Sequence, residues 1–148
     1  MNEEETNVST ETNKTLAKRY LDVVNGQKLN QLDEIFASDY VHHDPNLPPD
    51  VQRGLDNYKR GISGFITAFP DLQGTAEDIV AEGDRVVTRL TWRGTHNGDL
   101  MGIPATGRKV NFSMIEIQRV ANGKIAEGWV TFDAMTMMQQ IGAVPTPG

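Results

Sequence analysis

The hydrophobic period changes once along the chain, near Phe69, and the rest of the reading depends on that change. Upstream of it, Leu16, Tyr20, Val23 and Val24 recur at helical spacing, and Gly26 supplies a stop. Leu29, Leu32, Ile35 and Phe36 predict a second short helix. The segment "SDYVHHDPNLPPD" then breaks the pattern, because its three prolines lack backbone donors and fix their own φ angles. It predicts a loop with a short extended start. From Gly54 to Phe69 the apolar positions Leu55, Tyr58, Ile62, Phe65, Ile66 and Phe69 follow i, i+3, i+4 spacing, and Pro70 ends the run. This predicts an amphipathic helix.

Downstream, polar and apolar positions alternate. "RVVTRLTWRGTH" places Arg85, Val87, Arg89, Thr91, Arg93 and Thr95 on a wet face, against Val86, Thr88, Leu90, Trp92, Gly94 and His96 on the other. A further strand, about 109–120, meets "GKIAEGWVTFDAM" across Asn122-Gly123, a pair that favours a two-residue hairpin. In that last strand Ala126, Gly128, Val130 and Phe132 form a small or apolar row suited to a core. The opposite row is Ile125, Glu127, Trp129, Thr131 and Asp133. "AMTMMQQIG" closes the pattern as a short helix. Helices followed by antiparallel strands predict an α+β domain, and a helix laid on a curved sheet leaves a cavity suited to a small molecule.

Composition narrows the function classes. At 148 residues, with 38% hydrophobic and 23% charged positions, the chain reads as one globular domain. We place a disordered polar leader at 1–12, the domain at 13–143 and a flexible tail at 144–148. A net charge of −6 lacks the phosphate-neutralising excess of a nucleic-acid binder. Zero cysteines exclude disulfides and thiolate chemistry. Three histidines without H-x-x-x-H spacing predict no metal site. "MNEEETNVST" carries no basic stretch followed by an apolar one, and no run is long enough for a membrane span, which together set the expectation of a cytoplasmic protein.

The candidate chemistry centres on Asp133, whose own surroundings leave it open as a surface acid, a helix N-cap or a carboxylate at a pocket mouth. Trp129, Phe132 and Met135 beside it would raise its pKa if it were buried. His96, on the row of Leu90 and Trp92, is either a core histidine or a donor to a substrate carbonyl. His42 and His43, adjacent on extended backbone, point to opposite faces and make a poor metal pair. Trp92 and Trp129, Phe65 on the helix, and the soft set of Met114, Met135, Met137 and Met138 suit either a core or a pocket wall. Glu127 is read as a solvated partner of Arg119 or Lys124 across the hairpin. The glycines of "GIPATG" lack the lysine and spacing of a phosphate loop, so nucleotide binding is discarded.

Four stretches, "HHDP" at 42–45, "AFPDL" at 68–72, "AEGDRVVTRLTWRGTHNGDLMGIPATGRKV" at 81–110 and "RVANGKIAEGWVTFDAMTMMQQIG" at 119–142, resemble in that order the SnoaL-like polyketide cyclases, or ester cyclases. These belong to the nuclear-transport-factor-like, cystatin-like superfamily. The resemblance implies a cone-shaped, mostly antiparallel sheet with helices enclosing a pocket, a homo-oligomer (dimer or tetramer), and intramolecular aldol closure of a polyketide ester without metal or organic cofactor. It implies Asp133 as acid/base and His43 as a pocket-rim candidate; beside these, the residues themselves offer His96 as a candidate partner and Phe65, Trp92, Met114, Trp129 and Met137 as the wall around a small hydrophobic substrate. Where the family's second polar side chain, a histidine, is expected on the sheet, this chain carries Gln118 and Arg119. The competing readings are a non-catalytic binding or oligomerisation module on the same cone, and epoxide or dehydrative chemistry by paired carboxylates.

Overall fold

A computed structural model describes residues 3–146; the first two residues of the expected leader and the last two of the expected tail lie outside it. Helix α1 (Glu3–Asn25) is followed by a 3-10 helix (Leu29–Glu34), β1 (Phe36–His43), a 3-10 turn (Pro49–Val51) and α2 (Leu55–Ala68). Then come β2 (Gln73–Glu82), β3 (Arg85–Thr95), β4 (Lys109–Ala121), β5 (Lys124–Phe132) and α3 (Ala134–Gln140). The strands form one five-stranded, curved and unclosed sheet in the order β1-β5-β4-β3-β2.

Three expectations are corrected. Helix α1 continues through residues 3–12, read above as a disordered leader, because extending an existing helix costs far less than nucleating one and needs no apolar stripe. The histidine segment is a strand and not a loop: β1 runs to His43 and pairs parallel with β5, and only from Asp44 do the prolines take effect. Ile125, placed on the polar row, is fully buried. The ladder between β4 and β5 shifts register between Arg119 and Val120, and the extra residue turns Ile125 inward.

Elsewhere pattern and structure agree. Gly54 is the N-cap of α2 and Phe69 its C-cap. Asn122 and Gly123 join β4 to β5 with φ of 54° and 77°, the two positive values that a two-residue hairpin of this type requires. The inner face of the sheet carries Val86, Thr88, Leu90 and Trp92 from β3, and Val110, Phe112, Met114, Glu116 and Gln118 from β4. Gly128, Val130 and Phe132 continue it on β5. Helix α1 packs on β2 and β3, α2 on β1, and α3 on β4, so the helices cover this one face.

Candidate functional site

The inner face is apolar except where β4 crosses its middle. There Glu116 and Gln118, two residues apart and therefore on the same side of the strand, are each only 2% exposed. Around them stands an aromatic wall from three elements. Tyr20 comes from α1, Phe36 and Tyr40 from β1, and Tyr58 from α2, with ring centroids 4.8–5.5 Å apart between neighbours. The Tyr58 hydroxyl donates to Tyr20 Oη at 2.9 Å. His42 completes the wall, 4.7 Å from the Tyr58 ring, with its Nδ1 bound to Tyr40 Oη at 2.9 Å.

Burial sets the charge state of this chamber. Loss of hydration pushes the Glu116 carboxyl up to about 8, and the nearby Gln118 side chain tempers that rise only partly. Burial likewise lowers the His42 imidazole to about 4, against a smaller opposing pull from Asp44. It holds the hydroxyls of Tyr20, Tyr40 and Tyr58 well above the ordinary range, with the Glu116 charge adding to the effect. At neutral pH the chamber is therefore polar and nearly uncharged. A narrow cleft of about 10 Å³ between α1 and the sheet is lined by Lys18, Tyr20, Ala76, Thr88 and Leu90, with Glu116 in its wall.

Asp133 is not part of this chamber. Its backbone N–H extends the ladder to Ser113 O at 3.0 Å, while its exposed side chain caps α3. Oδ1 accepts from Thr136 N–H at 3.0 Å, and Oδ2 accepts from Thr136 Oγ1 at 2.6 Å. The expectation of a raised pKa is corrected: the hydrogen bonds from Thr136 stabilise the carboxylate and hold it below its ordinary value. Thr136 supplies both partners that the carboxylate needs.

The other candidates divide between two faces. Trp129 and His43, expected at the pocket, lie on the outer face of the sheet, which is a correction. They stack at 5.2 Å and 14° because β1 and β5 pair in register at these two residues. Glu127 joins them, bound to His43 Nε2 at 2.7 Å and to Arg119 Nε at 3.1 Å, and the Arg85 guanidinium lies 4.8 Å from the Trp129 ring centre. The reading of Glu127 as a cross-hairpin partner of Arg119 agrees with this. Phe65, Trp92, Met114 and Met137 do face inward. Phe65 meets Phe69 and Phe132, Trp92 Nε1 donates to Met114 Sδ at 3.3 Å, and Met137 is 1% exposed.

His96 is fully buried, as its row predicts, but it belongs to another part of the molecule. Thr88 pairs with Glu116, and His96 follows Thr88 by eight residues, about 25 Å of extended chain. The two side chains cannot serve one reacting carbon. His96 Nδ1 instead accepts from Thr106 N–H at 3.3 Å and meets Thr106 Oγ1 at 3.0 Å, holding the loop before β4. Asp71, from the "AFPDL" stretch, fixes the preceding residue by accepting from Thr95 N–H at 2.6 Å and Thr95 Oγ1 at 2.8 Å.

The sequence reading missed Glu116, Gln118, His42 and the three tyrosines as a group. A signal existed: in "KVNFSMIEIQRV" a carboxylate and an amide continue the row of Val110, Phe112 and Met114. Ile115 and Ile117 on the opposite row obscured which face was the core. Among the described residues, no group of three or more His, Asp or Glu is arranged to hold a metal ion, and no helix is long and apolar enough to cross a membrane.

Comparisons with known proteins add to this geometry. A sequence model described as SnoaL-like polyketide cyclase matches residues 14–141. The chain is 29% identical over 140 residues to the aklanonic acid methyl ester cyclase DnrD of Streptomyces peucetius, covering 89% of this chain and 92% of that one. Among solved structures, IdmH of Streptomyces antibioticus superposes with a TM-score of 0.77 at 34% identity, over 88% of this chain and 98% of that one. TsrD of Streptomyces laurentii gives 0.80 at 29% identity, over 90% and 97% respectively.

Proposed function

The chain belongs to the SnoaL-like polyketide cyclase family, and on that premise we propose that it is a cofactor-independent cyclase for a hydrophobic carbonyl compound, with Glu116 as its acid/base. The observation that carries this reading is a fully buried carboxyl on the inner face of the sheet whose pKa is pushed up to about 8. Aldol ring closure asks one group to take a proton from the carbon beside a carbonyl, then to return a proton to the alkoxide formed when the new carbon–carbon bond closes. A carboxyl with a pKa near the working pH does both better than one near 4, because it is a stronger base when ionised and still available as an acid. Asp133 lacks that tuning. Its carboxylate is held ionised and engaged by Thr136.

The relatives named aklanonic acid methyl ester cyclase support a polyketide ester as the substrate class, and the apolar inner wall suits such an ester. Phe65, Trp92, Met114 and Met137 are its inward-facing contacts in this proposal. At about 10 Å³ the cleft is far smaller than the roughly 300–1,000 Å³ of ordinary ligand sites, so binding such an ester requires α1 or α2 to shift well away from the sheet. The homo-oligomer that the resemblance implies remains part of the proposal.

The test is a panel of polyketide methyl esters turned over by wild type, Glu116→Gln and Asp133→Asn. Glu116→Gln is expected to lower kcat by about 10²–10⁴-fold while still binding the ester. Asp133→Asn is expected to keep kcat within about threefold. In the wild type kcat/KM should climb with pH up to about 8, as Glu116 ionises, and level off above it. Turnover retained in Glu116→Gln and lost in Asp133→Asn would reverse the assignment. Saturable binding with no turnover of any ester would favour the binding-module reading.

A further inference from the structure

Glu116 lines the seam where α1 lies on the sheet, with Ala17 and Tyr20 on the helix side and Ala76, Ile79 and Leu90 on the strand side. At about 10 Å³ the seam is closed to anything larger than a water molecule. An ester reaches the carboxyl only when α1 or α2 moves, and the two helices are held very differently. Helix α2 is tied by backbone bonds at both ends. Before its first turn Gly54 N–H donates to Tyr40 O at 2.7 Å, and His42 N–H donates to Gln52 O at 2.8 Å. At the far end Ala68 O accepts from both Asn97 N–H and Gly98 N–H at 3.1 Å. Gly98 lies so close to Thr67 O that a Cβ at position 98 would collide with it. Lifting α2 would break its ties to β1 and to the loop before β4 together.

Helix α1 has its comparable tie at the C-terminal end. There the Asn25 side chain clasps Gly74 of β2, with Oδ1 accepting from Gly74 N–H at 2.8 Å and Nδ2 donating to Gly74 O at 2.9 Å. Gln73 Nε2 adds a bond to Asn25 O at 3.0 Å. Leu21 and Trp92 crowd Gly74 so closely that a Cβ there would meet both. Toward the other end Asn13 Nδ2 reaches Gly83 O at 3.4 Å, a long bond at an exposed position. Arg19 pairs with Glu34 on the 3-10 helix, and an exposed ion pair of this kind gives way at little cost. The apolar contacts of the seam part and re-form without losing a directional bond. Tyr58, donating to Tyr20 Oη at 2.9 Å, latches α1 to α2.

We propose that α1 is the lid of the site: it tilts about the Asn25–Gly74 clasp, and substrate enters between the helix and β2 to reach Glu116. This rests on the reading of the Glu116 chamber as the place where the ester binds. Ala17 and Tyr20 lie about 12 Å and about 7.5 Å from Asn25 along the helix, so a tilt of about 20° lifts them by about 4 Å and about 2.5 Å. The second shift parts Tyr20 from Tyr58 and uncovers the carboxyl, while the clasp at the pivot barely moves. Reclosing over the bound ester excludes water from the chemistry.

The chain has no cysteine, so single thiols can report the motion without any ligand. Ala17, Val24 and Ala68 are 6%, 3% and 0% exposed. Labelled by dithionitrobenzoate at neutral pH, Ala17→Cys is expected to react at least about 10-fold faster than Val24→Cys beside the pivot or Ala68→Cys at the end of α2. If Ala17→Cys does not fold, Ala76→Cys on the opposite side of the seam is read in its place. A second variant, Asn13→Cys with Asp84→Cys, is bridged by a short bifunctional methanethiosulfonate that dithiothreitol removes. Bridged, it should take up methyl 2-naphthoate, followed by its fluorescence, and turn over any ester of the panel at least about 10-fold more slowly, with both restored by dithiothreitol. Equal labelling of the three thiols, or a bridged protein as fast as the released one, overturns the lid. Val24→Cys labelled as fast as Ala17→Cys would mean that α1 leaves as a whole, and removes the pivot. Turnover lost on bridging but kept in Glu116→Gln would sink the acid/base assignment and leave the lid standing. Turnover lost in Glu116→Gln and untouched by the bridge sinks the lid alone.

Discussion

At the scale of single residues, the same side chain type plays opposite parts in two places. Asp133 and Glu116 are both carboxylates near the end of the chain, yet hydrogen bonds pull one down while desolvation pushes the other up. Replacing Asp133 by Ala removes a cap and nothing else, so Tm should fall by a few degrees in a calorimetric scan while turnover of the ester panel stays within about threefold. A collapse of turnover in a folded Asp133→Ala would return this residue to the centre of the chemistry. The candidate site was only partly legible in the sequence for a related reason. Alternation reports which row a residue occupies, and it placed Phe65, Trp92 and His96 inside correctly. It does not report whether a polar residue at a strand end turns outward to cap a helix, as Asp133 does, nor which of two mixed rows on β4 faces the core.

At the scale of elements, β1 and β5 are locked together by a glycine. Gly128 is buried, and Tyr40 from β1 lies over it with its hydroxyl where a Cβ would be. Gly128→Ala should therefore destabilise the fold by about 1–3 kcal/mol, measured by urea unfolding. The strain comes from one oxygen atom, so Tyr40→Phe in the Gly128→Ala background should recover much of the loss. The double-mutant cycle would then show coupling of about 1 kcal/mol or more. Additive effects would mean that the two residues are not in conflict. Neither the full length of β1 nor this contact was read from the sequence, because the prolines after His43 suggested a loop with only a short extended start. The helix from Leu55 and the hairpin at Asn122-Gly123 were legible because each is specified locally, by period and by turn chemistry. A parallel strand depends on a partner more than 80 residues away, and no local pattern names it.

At the scale of the whole molecule, two buried groups make stability depend on pH in a way that links the fold to the proposed chemistry. The folded state raises Glu116 from 4.5 to about 8, so over that interval the native protein binds more protons than the unfolded chain, and stability falls as pH rises. The folded state lowers His42 from 6.5 to about 4, so between those values the unfolded chain binds more protons, and stability falls as pH drops. Where the windows overlap, from about 4.5 to 6.5, the two slopes oppose each other. Above about 6.5 only the Glu116 slope remains, and Tm measured by calorimetry should decline from there toward pH 8. In Glu116→Gln that decline should disappear, and the variant should be more stable than wild type at pH 8. A wild-type Tm that holds level between pH 6.5 and 8 would mean that Glu116 is hydrated in the folded protein, and would take away the physical basis for its role as the tuned acid/base. A family member that keeps a carboxyl buried in its interior gives up stability at the pH where it works, and ligand binding at that carboxyl is the compensation that would retain it.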